Sequence, residues 1–429
     1  MSFVTLQIGQ CGNQIGEAYY ERIFKELMNS PPAQQACAFD KFFFEKENKG
    51  KDNDIIAKSL LIDMEPKVVE KCLSSSHLWK YSPSNSYCKQ EGSGNNWAFG
   101  YNIHGPESKE PISDKICKLL EKIDFCDNFL ILQSLAGGTG SGLGTFVLDV
   151  LKDEFPEITR VNLGILPHMS GDVILQCYNT LLSISKILES SDGIILYEND
   201  EIDFICKKLL NAKNPTLNQM NGFIAQNLAS VFYPIIEKEK ISSPFDNRFN
   251  MCSDYLDSVI TSPANKLLKI YNVPMMPDTS VSFSCESWNG LEKRLYQMSI
   301  GNTTEANIHW NLRPDSQFAN KSFSNLLIAR GMDAEKHNFD FFKEKKGYIM
   351  NNRNFTFAHD SHNFNETEKS LSVLSNSQAF NSPLEFLLTG GIQMFEQKAY
   401  LFQYEKFGLT KDDFIESFAL IEQLLSNYK

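Results

Sequence analysis

The segment that decides the fold is Ala136-Gly137-Gly138-Thr139-Gly140-Ser141-Gly142, between an apolar run over 128–135 and a helical pattern that begins near Gly144. Five glycines fall within residues 136–144. Glycine allows a positive φ, which we expect at Gly138, and a close approach to a ligand. Backbone N–H groups at a helix N-terminus hold anionic oxygens. A flexible turn would explain two glycines but hardly five, so the segment predicts a phosphate-binding loop.

The loop differs from two common phosphate-binding motifs. It lacks the Gly-Lys-Ser/Thr ending of a Walker A loop, and it has no third glycine at the GxGxxG spacing. A dinucleotide-dependent metabolic enzyme is the alternative from another class of function. It would need that fingerprint and an acidic ribose-binding residue about 20 residues further on, and the sequence has neither.

Apolar runs on both sides of the loop predict a parallel α/β sheet, because they alternate with amphipathic stretches. The runs are 4–8, Ser59–Asp63, 128–135, 161–167 and 193–197. Polar residues or glycines follow each run. Ligands of an open parallel sheet bind beyond the carboxyl ends of its strands, so one site is predicted there.

A second loop, Gly92-Ser93-Gly94-Asn95-Asn96, follows the short strand-like run 87–89. Taken alone, such a segment is more often a surface turn. Its place after a predicted strand, beside the other loops, favours a second phosphate-contacting loop.

Two carboxylates close the second apolar run. Asp63 and Glu65 are two residues apart, so they point to the same side of an extended backbone. Beside a phosphate pocket such a pair suits Mg²⁺, which prefers oxygen ligands. A helix cap is the alternative, because a helical pattern follows.

Amides and a thiol stand near other strand ends. Gln10, Cys11 and Gln14 lie at the turn after the first run, and Asn199 follows the fifth. Asn199 and the more distant Asn221 could supply amides to a base or ribose. Each of these residues, taken alone, is more often an ordinary cap or helix residue.

The rest of the chain predicts a core helix, a second α/β domain and two C-terminal helices. An apolar stripe at helical spacing over 217–235 predicts a long buried helix. Capping-box patterns at 382–385, with Pro383 at the first helical position, and at 410–413 predict the last two helices. The predicted domains are 1–205, 206–380 and 381–429.

Composition argues against several classes of function. The net charge is −12 and no long Lys/Arg run occurs, which argues against nucleic acid as a partner. The 10 cysteines lack zinc-site spacing. No apolar stretch reaches the roughly 20 residues of a membrane helix. We therefore expect a soluble intracellular protein.

The glycine loop and Gly9-Gln10-Cys11-Gly12-Asn13-Gln14-Ile15-Gly16 resemble the two glycine-rich nucleotide loops of tubulins. Residues 63–66, 92–97 and 178–179 fall in the order expected of that family, and the resemblance spans nearly the whole chain. It implies an α/β, tubulin/FtsZ-like fold with a GTP-binding parallel-sheet domain.

The resemblance also implies GTP or GDP and Mg²⁺ as ligands. Phosphates and metal would be held by Gln10, Glu65, Asn95 and the loop 136–142. Ribose and guanine would be surrounded by Cys11, Gln14, Asp172, Asn199 and Asn221. Leu217 replaces an aromatic ring that many tubulins stack on guanine, and Gln176 replaces a carboxylate near the ribose.

Within the family, segments 1–7, 63–68, 92–106 and 399–428 are most similar to the delta branch. This implies other tubulins and centriole or basal-body proteins as partners, a role in triplet microtubules, and hence in cilia. An epsilon- or gamma-like tubulin is the alternative within the family.

Tubulins complete a GTPase site head to tail, with an acid of one subunit polarising water at the next subunit's γ-phosphate. The resemblance places Asp254 at that position, which implies slow hydrolysis coupled to assembly. Asp254 and Asp257 also share a helical face, so a solvated acidic surface is equally compatible with the sequence.

Overall fold

A computed structural model describes residues 2–46, 54–171, 173–209, 212–236, 252–276, 286–344 and 355–429. Its strands are β1 (Ser2–Ile8), β2 (Phe43–Lys46), β3 (Asp54–Ala57), β4 (Ser59–Asp63), β5 (Trp79–Lys80), β6 (Ser86–Cys88), β7 (Cys126–Ser134), β8 (Thr159–Leu166), β9 (Gly193–Glu198), β10 (Leu267–Val273), β11 (Ser322–Gly331), β12 (Phe355–Asp360) and β13 (Lys369–Ser377).

The helices are α1 (Gly9–Asn29), α2 (Pro32–Phe42), α3 (Pro66–Leu73), α4 (Trp97–Phe99), α5 (Gly105–Leu120), α6 (Gly144–Glu154), α7 (Gln176–Ser190), α8 (Asn199–Lys208), α9 (Leu217–Phe232), α10 (Cys252–Val259), α11 (Trp288–Gly301), α12 (Asp340–Glu344), α13 (Asn381–Glu396), α14 (Leu401–Glu405) and α15 (Lys411–Asn427). Among the described residues, no helix combines the length and the apolar character needed to cross a membrane.

The chain forms two compact units. The first contains Met1–Tyr20, Phe39–Asp200 and Phe380–Lys429, and the second contains Glu21–Ala38 and Glu201–Ala379. The three-domain division with boundaries after residues 205 and 380 stays a prediction.

The first unit is built on a parallel sheet in the order β6-β4-β1-β7-β8-β9. β1 lies in its interior, where Gln7 pairs with Leu61 on one side and Leu132 on the other. Every residue of β1 is buried. Strands covered on both faces read as continuous apolar runs, which is why all five predicted runs are strands.

Two C-terminal helices, α13 and α15, pack on α7. α15 begins with the predicted capping box between Thr410 and Asp413, and its apolar face is buried. The capping box predicted at 382–385 is wrong, because α13 already begins at Asn381 and continues from a 3-10 turn at Gln378–Phe380. Pro383 is therefore the third residue of the helix, still within the turn that tolerates proline.

The second unit contains the strand order β12-β11-β13-β10, in which β13 is antiparallel to both neighbours and β11 and β12 are parallel. The predicted core helix is α9, whose Thr216 and Gln219 form a capping box. Its residues from Met220 onward are mostly buried, but Leu217 is 58% exposed. The polar, proline-containing segment 237–250, which the sequence indicates as a break after this helix, lies outside the described residues.

Candidate nucleotide site

The turn that begins at Gly9 and the glycine loop 136–142 meet where β1 and β7 end. Gly9 directly follows β1 and has a φ of +72°, a conformation that L side chains rarely adopt. A Cβ at Gly9 would lie 3.1 Å from the backbone nitrogen of Gly140. The turn after the first strand therefore rests on the glycine loop that follows β7.

The loop 92–96 packs on the other side of the glycine loop. A Cβ at Gly138 would lie 2.6 Å from Cβ of Ser93, 2.7 Å from its carbonyl oxygen and 2.9 Å from the backbone nitrogen of Asn96. The Ser93 and Thr139 hydroxyls are hydrogen-bonded at 2.9 Å. This contact requires a residue without a side chain at 138.

The expected positive φ at Gly138 is wrong. Its φ is −96°, and no glycine within 136–142 has a positive φ. Thr139–Leu143 forms a turn of π-helix that leads into α6. Gly138, Gly140 and Gly142 are needed because neighbouring backbone comes too close for a side chain; at Gly142, for example, a Cβ would overlap the carbonyl oxygen of Trp97.

Asn179, on α7, joins the two phosphate-loop candidates. Its Nδ2 donates to the carbonyl oxygens of Asn95 and Ala136, both at 2.8 Å. Its Oδ1 accepts from the backbone N–H of Trp97 at 3.0 Å and from the hydroxyl of Tyr404 at 2.7 Å. Since Asn179 is fully buried, these bonds set the positions of both loops. This anchoring role of Asn179 is not apparent from the sequence.

The first turn of α1 carries Gln10, Cys11 and Gln14. Gln10 is exposed, and Cys11 and Gln14 are half-buried. Burial raises the pKa of the Cys11 thiol to about 12, so the thiol is neutral at physiological pH. Nearby Asn13, whose role is likewise not apparent from the sequence, donates to the carbonyl oxygens of Gly9 at 2.9 Å and Ile62 at 3.2 Å. It thereby ties the turn to the end of β4.

Asp63 ends β4 as a buried carboxylate with one unsatisfied oxygen. Its Oδ1 accepts from the N–H groups of Met64 at 2.8 Å and Glu65 at 3.3 Å. Its Oδ2 is buried and has no hydrogen-bond partner within the described part of the chain. Burial raises the pKa of Asp63 to about 6, against the opposing effect of the two N–H groups. An unsatisfied carboxylate oxygen of this kind fits a cation ligand.

Glu65 is exposed at the N-cap position of α3, where its side chain makes no capping hydrogen bond. A Cβ at Gly92 would lie 3.0 Å from Oε1 of Glu65. The Glu65 carboxylate thus lies beside the loop 92–96, and the role of Asp63 and Glu65 as a metal ligand set stays a prediction.

Replacing Asp63 by asparagine should stabilise the metal-free protein at pH 8. The folded pKa of about 6 exceeds the ordinary value of 3.8, so ionisation destabilises the fold increasingly as the pH rises from about 4 to above 6. The full effect is up to about 3 kcal/mol. Urea unfolding in a chelator should give the variant the larger free energy of unfolding at pH 8, with the difference shrinking towards pH 4.

The matched control for this prediction is Glu65→Gln, which removes the exposed carboxylate two residues away. Its free energy of unfolding should stay within about 0.5 kcal/mol of the parent value. A constant difference between Asp63→Asn and the parent from pH 4 to pH 8 would contradict the assigned pKa.

Of the residues predicted to surround ribose and guanine, Asn199 lies within the described part of the chain and Asp172 does not. Asn199 is half-buried at the start of α8. Beside it, Asp200 accepts from the N–H of Met169 and lies 2.8 Å from Nδ1 of His168, which fixes the segment after β8. Asp172, the predicted ribose contact, lies outside the described residues. Its role and that of Asn199 stay predictions.

Two predicted residues belong to the second unit. Asn221 is buried on α9, with 7% of its surface exposed. Asp254 lies half-buried in the first turn of α10, and Asp257 on the same helix is exposed. Their roles at guanine and at a neighbouring subunit also stay predictions.

Comparison with known proteins identifies the family. The Tubulin/FtsZ family, GTPase domain, matches residues 2–207. The chain is 38% identical to the tubulin delta chain of Macaca fascicularis over 458 residues, which span 100% of this chain and 99% of the relative. The chain belongs to the tubulin family. Tubulin delta chains of Canis lupus familiaris and Homo sapiens are 37% and 38% identical, with the same coverage.

Family membership confirms the predicted α/β, tubulin/FtsZ-like fold and the resemblance to the delta branch. It also implies that this tubulin-family chain binds guanine nucleotide and acts as a cytoskeletal subunit. The alternative of a dinucleotide-dependent enzyme finds no support in these matches.

Proposed function

We propose that the chain is a GTP-binding tubulin subunit that uses Mg²⁺ and acts in the assembly of centrioles and basal bodies. The contact of three loops that follow β1, β6 and β7, parallel strands of one sheet, supports the nucleotide part most strongly. Gly9, Gly138 and Gly142 each lie where backbone from a neighbouring segment leaves no room for a Cβ or only a tight fit. Such packed, glycine-rich backbone can present several N–H groups to phosphate oxygens.

The phosphate contacts are assigned to Gln10, Asn95 and the loop 136–142. Asn95 has a φ of 51° and is exposed, and its carbonyl oxygen is held by Asn179. Ser141 is anchored by a hydrogen bond to the carbonyl oxygen of Gly137. These fixed positions would reduce the ordering that nucleotide binding requires.

Mg²⁺ is assigned to Asp63 and Glu65. The buried, unsatisfied Oδ2 of Asp63 supports this choice, because a carboxylate oxygen without a donor is suited to a hard cation. When bound, the ion would neutralise phosphate charge. The role of the chain itself is to keep one carboxylate buried and another exposed beside the loop 92–96.

The cellular role is assigned from similarity to tubulin delta chains over the full length of this chain. It consists of forming or maintaining triplet microtubules together with other tubulins and centriole or basal-body proteins, and hence supporting cilia. Depletion in the organism that encodes the chain should convert centriolar triplets to doublets or singlets in electron micrographs, and the parent chain should restore them. Intact triplets after complete depletion would refute this role.

Asp254 should affect hydrolysis only within assemblies. If the acid acts on the γ-phosphate of a neighbouring subunit, Asp254→Ala should leave GTP affinity unchanged. It should slow hydrolysis in sedimented assemblies by about 10²–10⁴-fold, the usual effect of losing a catalytic acid or base. Phosphate release, measured with assembled and with highly diluted protein, tests this; the diluted parent should hydrolyse GTP very slowly.

Asp257→Ala is the control for Asp254, since Asp257 lies on the same helix and carries the same charge. It should hydrolyse GTP at the parent rate. Equal rates for both variants in verified assemblies would remove Asp254 from the proposed reaction.

A further inference from the structure

A cluster outside the three loops contains one imidazole and two carboxylates. Glu91, His104 and Glu107 each offer a ligand atom, and these atoms all lie within 4.8 Å of one another. Glu91 precedes the loop 92–96, His104 ends the π-helical turn at 100–104, and Glu107 lies in the first turn of α5. Both glutamates are exposed and can adjust, whereas His104 is buried.

His104 is the unexplained member of the cluster. Its side chain is fully buried, and neither ring nitrogen has a hydrogen-bond partner of acceptable geometry among the described residues. Unsatisfied buried polar atoms destabilise a fold, and a bound metal ion would satisfy one nitrogen of this ring. The ring of Phe99, with its centroid 4.5 Å away, limits the movement of the imidazole.

The charge state of His104 suits metal ligation. Burial, followed by the positive charge of Lys89, lowers the pKa of the imidazole, whereas Glu107, Glu91 and the Gly92 carbonyl oppose this shift. The net result is a pKa below the ordinary value of 6.5. The ring is therefore neutral at physiological pH and keeps the lone pair that a metal requires.

We propose that Glu91, His104 and Glu107 bind a divalent transition-metal ion of the Zn²⁺ type. One nitrogen and two oxygen donors match Zn²⁺, whereas Mg²⁺ and Ca²⁺ take oxygen ligands. Zn²⁺ binds such donors at about 2.0–2.2 Å, so the exposed glutamates close inward around the fixed imidazole. Water completes the coordination.

Lys89 competes with the ion. Its Nζ lies 2.6 Å from Oε2 of Glu107, in an ion pair whose side chains are 29% and 51% exposed. An exposed pair of this kind contributes little stability, so an ion can displace the lysine. The bound ion would link the start of the loop 92–96, through Glu91, to α5, through Glu107. These ligands are different residues from the proposed Mg²⁺ pair, Asp63 and Glu65.

The test is calorimetric titration of the purified full-length protein with Zn²⁺, and spectroscopic titration with Co²⁺, in saturating GTP and millimolar Mg²⁺. We expect one ion per chain. Glu91→Gln and Glu107→Gln should each weaken binding by on the order of tenfold or more. Lys89→Met should strengthen it by up to about fivefold, because it removes the competitor for Glu107.

Glu110→Gln is the matched control, because Glu110 is an exposed residue on the same helix. It should bind Zn²⁺ like the parent. Since both ligand variants change exposed side chains, circular dichroism should confirm that they fold. Parent-like Zn²⁺ affinity in both ligand variants, the absence of stoichiometric binding, or displacement of Co²⁺ by millimolar Mg²⁺ would each overturn the proposal.

Discussion

Gly138→Ala should abolish guanine-nucleotide binding and lower the free energy of unfolding by about 2–4 kcal/mol. The added Cβ would lie 2.7 Å from the Ser93 carbonyl oxygen and 2.9 Å from the Asn96 nitrogen. Both are backbone atoms that cannot rotate away, so the loop 92–96 must move. The φ of −96° suits alanine, so the predicted loss comes from the overlap alone.

Gly137→Ala is the control in the adjacent position. The nearest atom to a Cβ there is Oδ1 of Asn95 at 3.9 Å, an ordinary contact distance. Its free energy of unfolding should stay within about 1 kcal/mol of the parent value. Urea unfolding and the guanine nucleotide released on denaturation measure both effects. Gly138→Ala with parent stability and full nucleotide content would show that the close approach is dispensable.

Asn179→Leu should lower the free energy of unfolding about as much as Gly138→Ala does. It keeps a similar volume but removes four hydrogen bonds, and it leaves the buried N–H of Trp97 and the partly buried carbonyl oxygens of Asn95 and Ala136 without this partner. The unsatisfied buried N–H costs about 1–3 kcal/mol and each other lost bond about 1 kcal/mol, so we expect a loss of about 3–5 kcal/mol. Nucleotide affinity should fall as well, because both loops lose their common anchor.

Two further variants separate the contributions at this residue. Tyr404→Phe removes only the hydroxyl that bonds Oδ1 of Asn179, so it should cost about 1 kcal/mol and keep the nucleotide. Asn179→Asp keeps the acceptor but places a carboxylate beside two carbonyl oxygens. Its stability and nucleotide content should therefore fall as much as those of Asn179→Leu. Denaturation midpoints and nucleotide content of all three variants test whether Tyr404→Phe is the mildest of them. Equal stability of Asn179→Leu and Tyr404→Phe would contradict it.

The parallel sheet was predictable because its strands are buried on both faces and therefore form continuous apolar runs. Ser59–Asp63 agrees with its prediction at both ends. The other runs differ only at their ends, where polar residues such as Thr159 still make ladder contacts. The capping box of α15 was predictable because Thr410 and Asp413 satisfy each other locally.

Long-range packing explains where the predictions fail. Helix α5 begins at Gly105 and continues through Pro111, although proline in a helix interior usually ends or kinks a helix. Gly391 in α13 looks like a weak point of the helix, but a Cβ there would overlap Cδ1 of Leu181 on α7. The glycine permits this close packing, which no local pattern reveals.

The candidate site was only partly predictable for the same reason. Glycine and carboxylate spacing identified the loops and Asp63, because these signals are local. Asn179 was missed as the anchor because its partners are 43, 82, 84 and 225 residues away along the chain. The conformation of Gly138 was also mispredicted, since its constraint comes from the loop 92–96 and not from its own φ.

Competitive calorimetry with GTP and ATP, in the presence of Mg²⁺, measures whether the chain is a specific guanine-nucleotide binder. We expect one binding site per chain that prefers GTP over ATP by at least about 100-fold, since a site that hydrogen-bonds the guanine edge leaves polar groups unpaired with adenine. Omitting Mg²⁺ should weaken GTP binding. Equal affinity for the two nucleotides, or no binding of either, would contradict the claim.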